Sequence, residues 1–438
     1  MTRLTHLVHH PVISAKTLQK FTLLGSLYLS QFMPFWFLFQ ALPILLRQQG
    51  MSLDAIGLLP LVAIAITFKF LWSPLIDRYS YGRWGHYRFW IIFFQLLVVA
   101  ITVVCSLLNL ATQLPLILIS LALMGACCAS QDIATDALAV RLLAPHERGM
   151  GNAVQAVGGA LGRMISGGGM LILLNRWGWS SSLLSLAAVM AIALVPILVY
   201  REPHREPVST SGKFGLRDYC KIFIRFIKRP GMVIWLLVLG LYAASYNLSA
   251  TMFTPLLVDA GLSTADIGSL LGIFGTGVTI LGALLAGRLM PKLGRKGTLL
   301  TASAASLVGI LLYCLPTFGL IQLPVLYGIV GFAFISSGML VTTALTIMMD
   351  KSRAEMAGTD YTLQTSLIGV GSVLSAAVSG LLAETVGYRG VFVLSSALSV
   401  VCLALIARGL KLSVQPVSMD TKQSGKPTNI IDSSRHKS

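Results

Sequence analysis

The chain has 438 residues, of which 55% are hydrophobic and only 11% charged, with a formal net charge of +17 at pH 7. A soluble globular protein carries about 25% charged residues, so a soluble core is excluded. Apolar runs of about 20 residues recur along the whole length, enough to cross a hydrocarbon layer about 30 Å thick. In lipid such runs must be helices, because unpaired backbone groups are too costly there. Their continuity also excludes a β-barrel, whose strands alternate.

The first 20 residues are polar and include His9, His10 and Pro11. No small-residue cleavage site follows a short apolar core, so the first span is expected to remain as an uncleaved anchor. Twelve spans are predicted, at 21–46, 55–76, 89–108, 114–140, 150–174, 181–200, 232–257, 267–289, 298–315, 323–349, 361–382 and 390–410. Of the 33 Lys and Arg, only Arg47, Arg176 and Arg389 fall in loops opposite the N-terminus, and Lys69 and Arg163 fall inside spans. The rest lie on the side of the N-terminus, which predicts both termini in the cytoplasm. The positive charge is thus an orientation signal and a match to anionic lipid, not a nucleic-acid footprint. Residues 201–231 read as a basic linker with a surface helix from Leu216 to Lys228, and 411–438 as a polar tail expected to be disordered. The six cysteines show neither metal spacing nor a disulfide framework. His6, His9, His10 and His204 also lack ligand spacing, so no metal and no cofactor are expected.

The fourth span ends CCASQDIATDALAV, residues 127–140. Residues i and i+4 share a helix face, so Asp132 and Asp136 point the same way, about 6 Å apart along the axis, with Gln131 beside them. An acid at mid-span costs roughly 2.5–3.5 kcal/mol, less near the end of the span. Two carboxylates this close disfavour joint ionisation unless a cation intervenes. Lys69 is expected at similar depth, and Arg163 roughly 8 Å deeper, within reach if its side chain bends back. Three readings are open: a static ion-pair network tying spans 2, 4 and 5, a substrate or proton site, or acids turned towards lipid.

The second half of the chain lacks this pair. Span 10 is hydroxyl-rich instead, with Ser336, Ser337, Thr342, Thr343 and Thr346. These either contact a ligand or bond their own helix, and the contrast predicts a cavity charged on one side. Further cavity candidates are Gln31, Trp36 and Gln40 in span 1, Tyr242, Tyr246 and Asn247 in span 7, and Gln364 in span 11. Asp360 reads as an N-cap, and Asp350, Lys351 and Arg353 as a solvated loop. Gly158 and Gly162 suggest close helix packing in span 5. No catalytic triad, phosphate loop or nucleotide-binding module is visible, so the chain is not read as an enzyme. Its drive would then be an ion gradient or the solute's own gradient, with proton coupling through Asp132 or Asp136 the simplest form.

The stretch GMSLDAIG at 50–57 returns as GLSTADIG at 261–268, and Gly82-Arg83 returns as Gly294-Arg295-Lys296. Residues 151–155 and 358–364 open spans 5 and 11 alike. The chain is therefore predicted as two copies of one six-helix design, at 21–200 and 232–410, between a segment at 1–20, the linker 201–231 and the tail 411–438. Two such halves in parallel repeat resemble the major facilitator superfamily. Ser73-Pro-Leu-Ile-Asp77-Arg78 followed by Gly82-Arg83 is similar to that family's loop motif after the second span. In the second copy Pro291 stands where the acid would be. The resemblance implies that span 4 lines the cavity and that Asp77, Arg78, Arg83 and Arg88 form a conformational latch between the halves.

Lys69 to Tyr79, Ser130 to Asp136 and Gly358 to Gln364 look like the branch holding the muropeptide permeases, the acetyl-CoA transporters and the siderophore-uptake permeases of the rhizobactin and pyochelin type. The compact length and the unbroken run from Ala129 to Val140 look most like the siderophore permeases. The expectation is a monomeric, multi-pass inner-membrane transporter that imports a siderophore, free or metal-loaded, by alternating access with protons. A muropeptide permease is the alternative, with an exporter and a permease-like sensor as further rivals. Expected partners are the small-molecule solute, the bilayer and protons, without nucleic acid.

Overall fold

The computed structural model describes residues 15–43, 67–79, 85–109, 112–203 and 216–410. Among them there is no strand, and eight stretches are helical, long and apolar enough to cross a bilayer. The GMSLDAIG copy of the repeat, Arg83, His6, His9, His10, His204 and the tail from 411 lie outside the described residues.

In chain order the helices are α1 (Ala15–Trp36), α2 (Ser73–Arg78), α3 (Tyr87–Leu107), α4 (Leu114–Leu142), α5 (Arg148–Arg163), α6 (Met170–Ile192) and α7 (Val195–Val199). The linker helix α8 (Leu216–Ile227) follows, then α9 (Met232–Asp259), α10 (Gly275–Leu312), α11 (Leu323–Lys351) and α12 (Ala357–Gly409). Proline stands in the first turn of α2, α4, α7 and α11, where a missing N–H costs nothing.

Three of the eight stretches, Arg148–Val199, Gly268–Phe318 and Ala354–Gly409, exceed 50 residues. Straight, each would run to about 75 Å or more, far beyond a bilayer. Each is instead two helices joined at a glycine. The chain reverses at Gly178, Gly294 and Gly387, with φ of 74°, 69° and 68°. A left-handed φ of this kind is unstrained only for glycine, so loops expected from hydropathy shrink to one residue flanked by helix.

The expected second span is described only at 67–79, and there it is not one continuous helix. A 3-10 turn at Lys69–Leu71 and Trp72 precede α2. The break lies where the Pro74 ring would clash with the carbonyl four residues back. Likewise α1 begins at Ala15 rather than at 21, which brings Lys20 to Glu147 at 2.6 Å.

That contact and the bond from Lys296 to the Ala407 carbonyl put both ends of the described chain at one end of the bundle. This end carries most of the basic residues and is called the basic end below. There one apolar core runs across both groups of helices, through Ile76, Leu138, Met290, Met348 and Tyr361. At the far end the core is divided. Met33, Leu121 and Met190 belong to α1–α7, while Phe253, Tyr313 and Phe392 belong to α9–α12. The linker helix lies beneath the shared core, with Phe223 edge-on to Phe70 at 6.0 Å and Phe226 buried.

Glycines set the closest crossings. A Cβ on Gly158 would come within 3.1 Å of the Leu29 nitrogen, and one on Gly162 within 2.9 Å of the Phe32 Cβ. A Cβ on Gly338 would collide with the Thr279 carbonyl of α10. Gly338→Ala is therefore expected to cost about 1–3 kcal/mol of overpacking. Thermal unfolding in detergent should show a midpoint lower by several degrees, and an unchanged midpoint would mean the crossing has slack.

Candidate functional site

Asp132 and Asp136 turn inward, onto α1 and the end of the second span. Asp132 accepts from the Gln31 amide and pairs with the Lys69 ammonium. Its side chain retains 18% exposure, whereas Lys69 and Asp136 are buried. Asp136 lies one turn nearer the basic end and accepts from the Tyr28 hydroxyl at 2.9 Å. Lys69 and Tyr361 are both within electrostatic range of Asp136. Tyr361 belongs to α12, in the other group of helices, and its buried hydroxyl has no hydrogen-bond partner among the described residues. Trp72 donates to Ser130 at 3.1 Å and closes the side of the cluster. Neither acid faces lipid.

Other predicted residues go elsewhere. Gln131 points away from the acids and donates to Gln95 of α3. Gln95 also accepts from Ser30 and donates to the Met190 carbonyl, so Gln131 ties helices of one group together. Arg163 does not bend back to the acids, because its guanidinium lies 3.8 Å from the Trp36 ring centroid. Gln364 is saturated by Trp235 at 2.7 Å and by the Met348 and Asp360 carbonyls, which leaves nothing for a cavity. Thr343 bonds the Met339 carbonyl of its own helix at 2.7 Å. Asn247 bonds Ala243 and Ser372, Tyr242 is buried 6.5 Å from the Tyr246 ring, and Gln40 rests on Gly167.

The loop motif does join the two groups, mainly through Asp77. Its carboxylate accepts from the Gly358 N–H at 3.0 Å, the Thr359 N–H and hydroxyl at 2.6 Å each, and the Tyr87 hydroxyl at 2.6 Å. It therefore caps α12 across the interface, where orphan N–H groups and the helix dipole favour an anion. Asp360, expected as that cap, instead receives Arg353 in a two-pronged pair at 2.7 Å. Arg88 stays within the first group and caps α7 through the Ile197 and Leu198 carbonyls at 3.0 and 2.7 Å. Arg78 has a partner as well.

Sequence reasoning passed over Asp350. It is exposed, as a solvated loop would have it, and also bridges Arg148 of α5 and Arg295 of α10, each at 2.7 Å. With 16 acids against 33 cations in the chain, an acid at the basic end has every reason to be paired, and that ratio was the available signal. Nearby, Arg141 donates to the Ala354 carbonyl, Asn152 to Thr346, and a Cβ on Gly287 would lie 3.3 Å from the Gly149 carbonyl. Glu147 fastens α1 to the loop before α5. Burial raises its carboxyl, but bonds from Lys20, the Ala144 N–H and Thr17 outweigh burial and hold it below the usual range. Asp350→Ala should leave Arg148 and Arg295 unpaired and loosen closure. Because the pair is partly exposed, the effect should be about 1 kcal/mol, read as faster labelling of a cysteine placed at Thr346.

The described polar contacts between the groups thus gather at the basic end, and the acid cluster lies one level further in. The sequence matches the Major Facilitator Superfamily model over residues 24–371. It is similar to the anhydromuropeptide permease of Escherichia coli (strain K12), with 29% identity over 82% of this chain and 73% of that protein. The fold is similar to the transporter FucP in the outward conformation, at TM-score 0.66 and 14% identity over 90% of this chain and 99% of that one. It is also similar to the human organic anion transporter MFSD10, at TM-score 0.71 and 16% identity over 89% and 99%. At such identities the structures speak for fold alone.

Proposed function

Given that the chain belongs to the Major Facilitator Superfamily, we propose that it is a proton-coupled permease carrying an anhydromuropeptide-like solute inward across the inner membrane. It is a multi-pass membrane protein and a secondary transporter. The similarity to the anhydromuropeptide permease of Escherichia coli supports the solute class. Siderophore import, the leading expectation from sequence, has no counterpart among the relatives named above and gives way to the muropeptide alternative.

The observation that carries the coupling is Asp132, paired with Lys69 yet still partly exposed. The bias of Lys and Arg supports a cytoplasmic basic end, which makes the divided end the periplasmic mouth. A proton arriving from that side meets Asp132 first. Neutralising it deprives Lys69 of its partner and leaves Asp136 as the remaining counter-charge. Asp136 lies under Tyr361, two residues beyond the turn that Asp77 holds. A change of charge there bears on the element whose release opens the basic end, as two-state coupling requires.

Deletion cells supplied with labelled anhydromuropeptide or a labelled ferric chelate test the reading. Complemented cells should accumulate only the first, and a protonophore should abolish accumulation. Inverted vesicles give the direction. Uptake of the chelate alone would sink the proposal.

A further inference from the structure

Lys69 and Arg163 are the two cations that fall inside predicted spans. Lys69 has Asp132, but among the described residues no carboxylate pairs with Arg163. The nearby acids are engaged: Asp77 caps α12, Asp132 holds Lys69, and Asp136 holds Tyr28. An embedded arginine costs roughly 2.5–3.5 kcal/mol. Stacking on an aromatic ring returns about 0.5–2 kcal/mol, so a counter-charge is still wanting.

Its position says where that charge comes from. Arg163 lies eleven residues after Asn152 on α5, about three turns and 16 Å further from the basic end, on nearly the same face. Asn152 bonds Thr346 of the second half, so Arg163 faces the second half too. At that level the described apolar cores of the two groups are separate, and Arg163 is exposed. Trp36, which lies under the guanidinium, is five residues beyond Gln31 on α1. The pair therefore sits about 7.5 Å above the Asp132 cluster, between the mouth and the proton site.

The local backbone supports a built site. A π turn follows each partner directly, Phe37–Ala41 after Trp36 and Met164–Gly169 after Arg163. Such turns frequently mark functional positions. With one face on the indole, the guanidinium keeps its edge free, and that planar edge suits two-pronged binding of a carboxylate.

We propose that Arg163, held over the Trp36 ring, is the receptor for a carboxylate of the solute. This rests on the transporter reading above and deepens it, since the peptide part of a muropeptide ends in carboxylates. The guanidinium chooses among solutes, while Asp132 and Asp136 handle protons.

Equilibrium binding to the purified full chain in lipid nanodiscs tests this with two probe sets. One is a synthetic anhydromuropeptide with free carboxylates and the same molecule fully amidated. The other is a short N-acetylated peptide as its carboxylate and as its amide. The unaltered chain should prefer the free carboxylate about tenfold or more. Arg163→Gln should lose that preference while binding the amidated form as before, which also shows that the variant folds. Arg163→Lys should keep part of the preference. If the peptide carboxylate binds in an Arg163-dependent way and neither muropeptide form binds, the receptor stands and the muropeptide reading falls. If the chain shows no carboxylate preference in either set, or Arg163→Gln keeps the full preference, the receptor is overturned.

Discussion

Asp136→Asn should reduce gradient-driven uptake to the level of cells without the protein, while exchange of labelled for unlabelled solute persists. Asparagine matches the protonated carboxyl in size and neutrality, and its oxygen still accepts from Tyr28, bonded at 2.9 Å in the unaltered chain. What disappears is the charge within range of Lys69 and Tyr361. Such a chain keeps no counter-charge for Lys69 once Asp132 takes the proton, so it should alternate with solute bound but fail to draw on the gradient. Asp132→Asn should be harsher on the protein itself. It leaves buried Lys69 without its direct partner and with only Asp136 as counter-charge, at a cost of up to about 3–5 kcal/mol, so low expression is expected. Lys69→Met in the same chain should restore expression without restoring coupling. Proteoliposomes with an imposed pH difference give the readout. Full gradient dependence in Asp136→Asn would remove Asp136 from the coupling path.

The second large effect is expected at the latch. Asp77→Asn removes the anion over the start of α12 and turns one of its oxygens into an NH2 group, which then faces either the Gly358 N–H and the Tyr87 hydroxyl or the Thr359 N–H and hydroxyl. Each hydrogen bond to a charged acceptor contributes about 1.5–3 kcal/mol, and the helix terminus adds about 0.3–1 kcal/mol. Moving a two-state balance from 99:1 to 1:99 takes about 5.5 kcal/mol, so one substitution can depopulate the closed basic end. Spin labels at His146→Cys and Glu355→Cys, both exposed, with the exposed Cys220 replaced by serine, should report a longer and broader distance distribution. The same variant should transport about tenfold more slowly or worse, since each unit of about 1.4 kcal/mol is a factor of ten. An unchanged distance would make Asp77 a passive cap.

Much of the architecture was readable because lipid imposes one rule, that backbone groups be satisfied within helices. Helix periodicity likewise put Asp132 and Asp136 on a common face. Periodicity does not say which neighbour that face meets. Gln131 is adjacent in sequence to Asp132, yet 100° of helix rotation sends it to α3 and Gln95 rather than to the acids. Arg163 was judged by depth, and its Trp36 partner depends on how α1 lies against the glycine face of α5. Asp350 was missed because its two arginines come from residues 148 and 295, a meeting made only by tertiary packing. Gln364 and Thr343 look like ligand contacts in sequence because a polar side chain in an apolar helix stands out. Here each is satisfied by backbone carbonyls or by one indole, which hydropathy does not register.

Finally, the seam at the basic end has unequal edges. Along α2 and α12 a carboxylate clasps a helix start through four donors. At the equivalent place in the second copy the acid is absent and Pro291 stands instead. There α5 meets α10 through Gly149, Gly287 and Met290, with only the partly exposed Asp350 bridge to Arg148 and Arg295 beside them. Parting that close contact and a partly exposed ion bridge, about 1 kcal/mol, costs less than stripping a buried anion of its donors. The gate should therefore peel from the α5–α10 side and pivot on the Asp77 side, so solute would leave through a slit along one flank before the whole aperture widens.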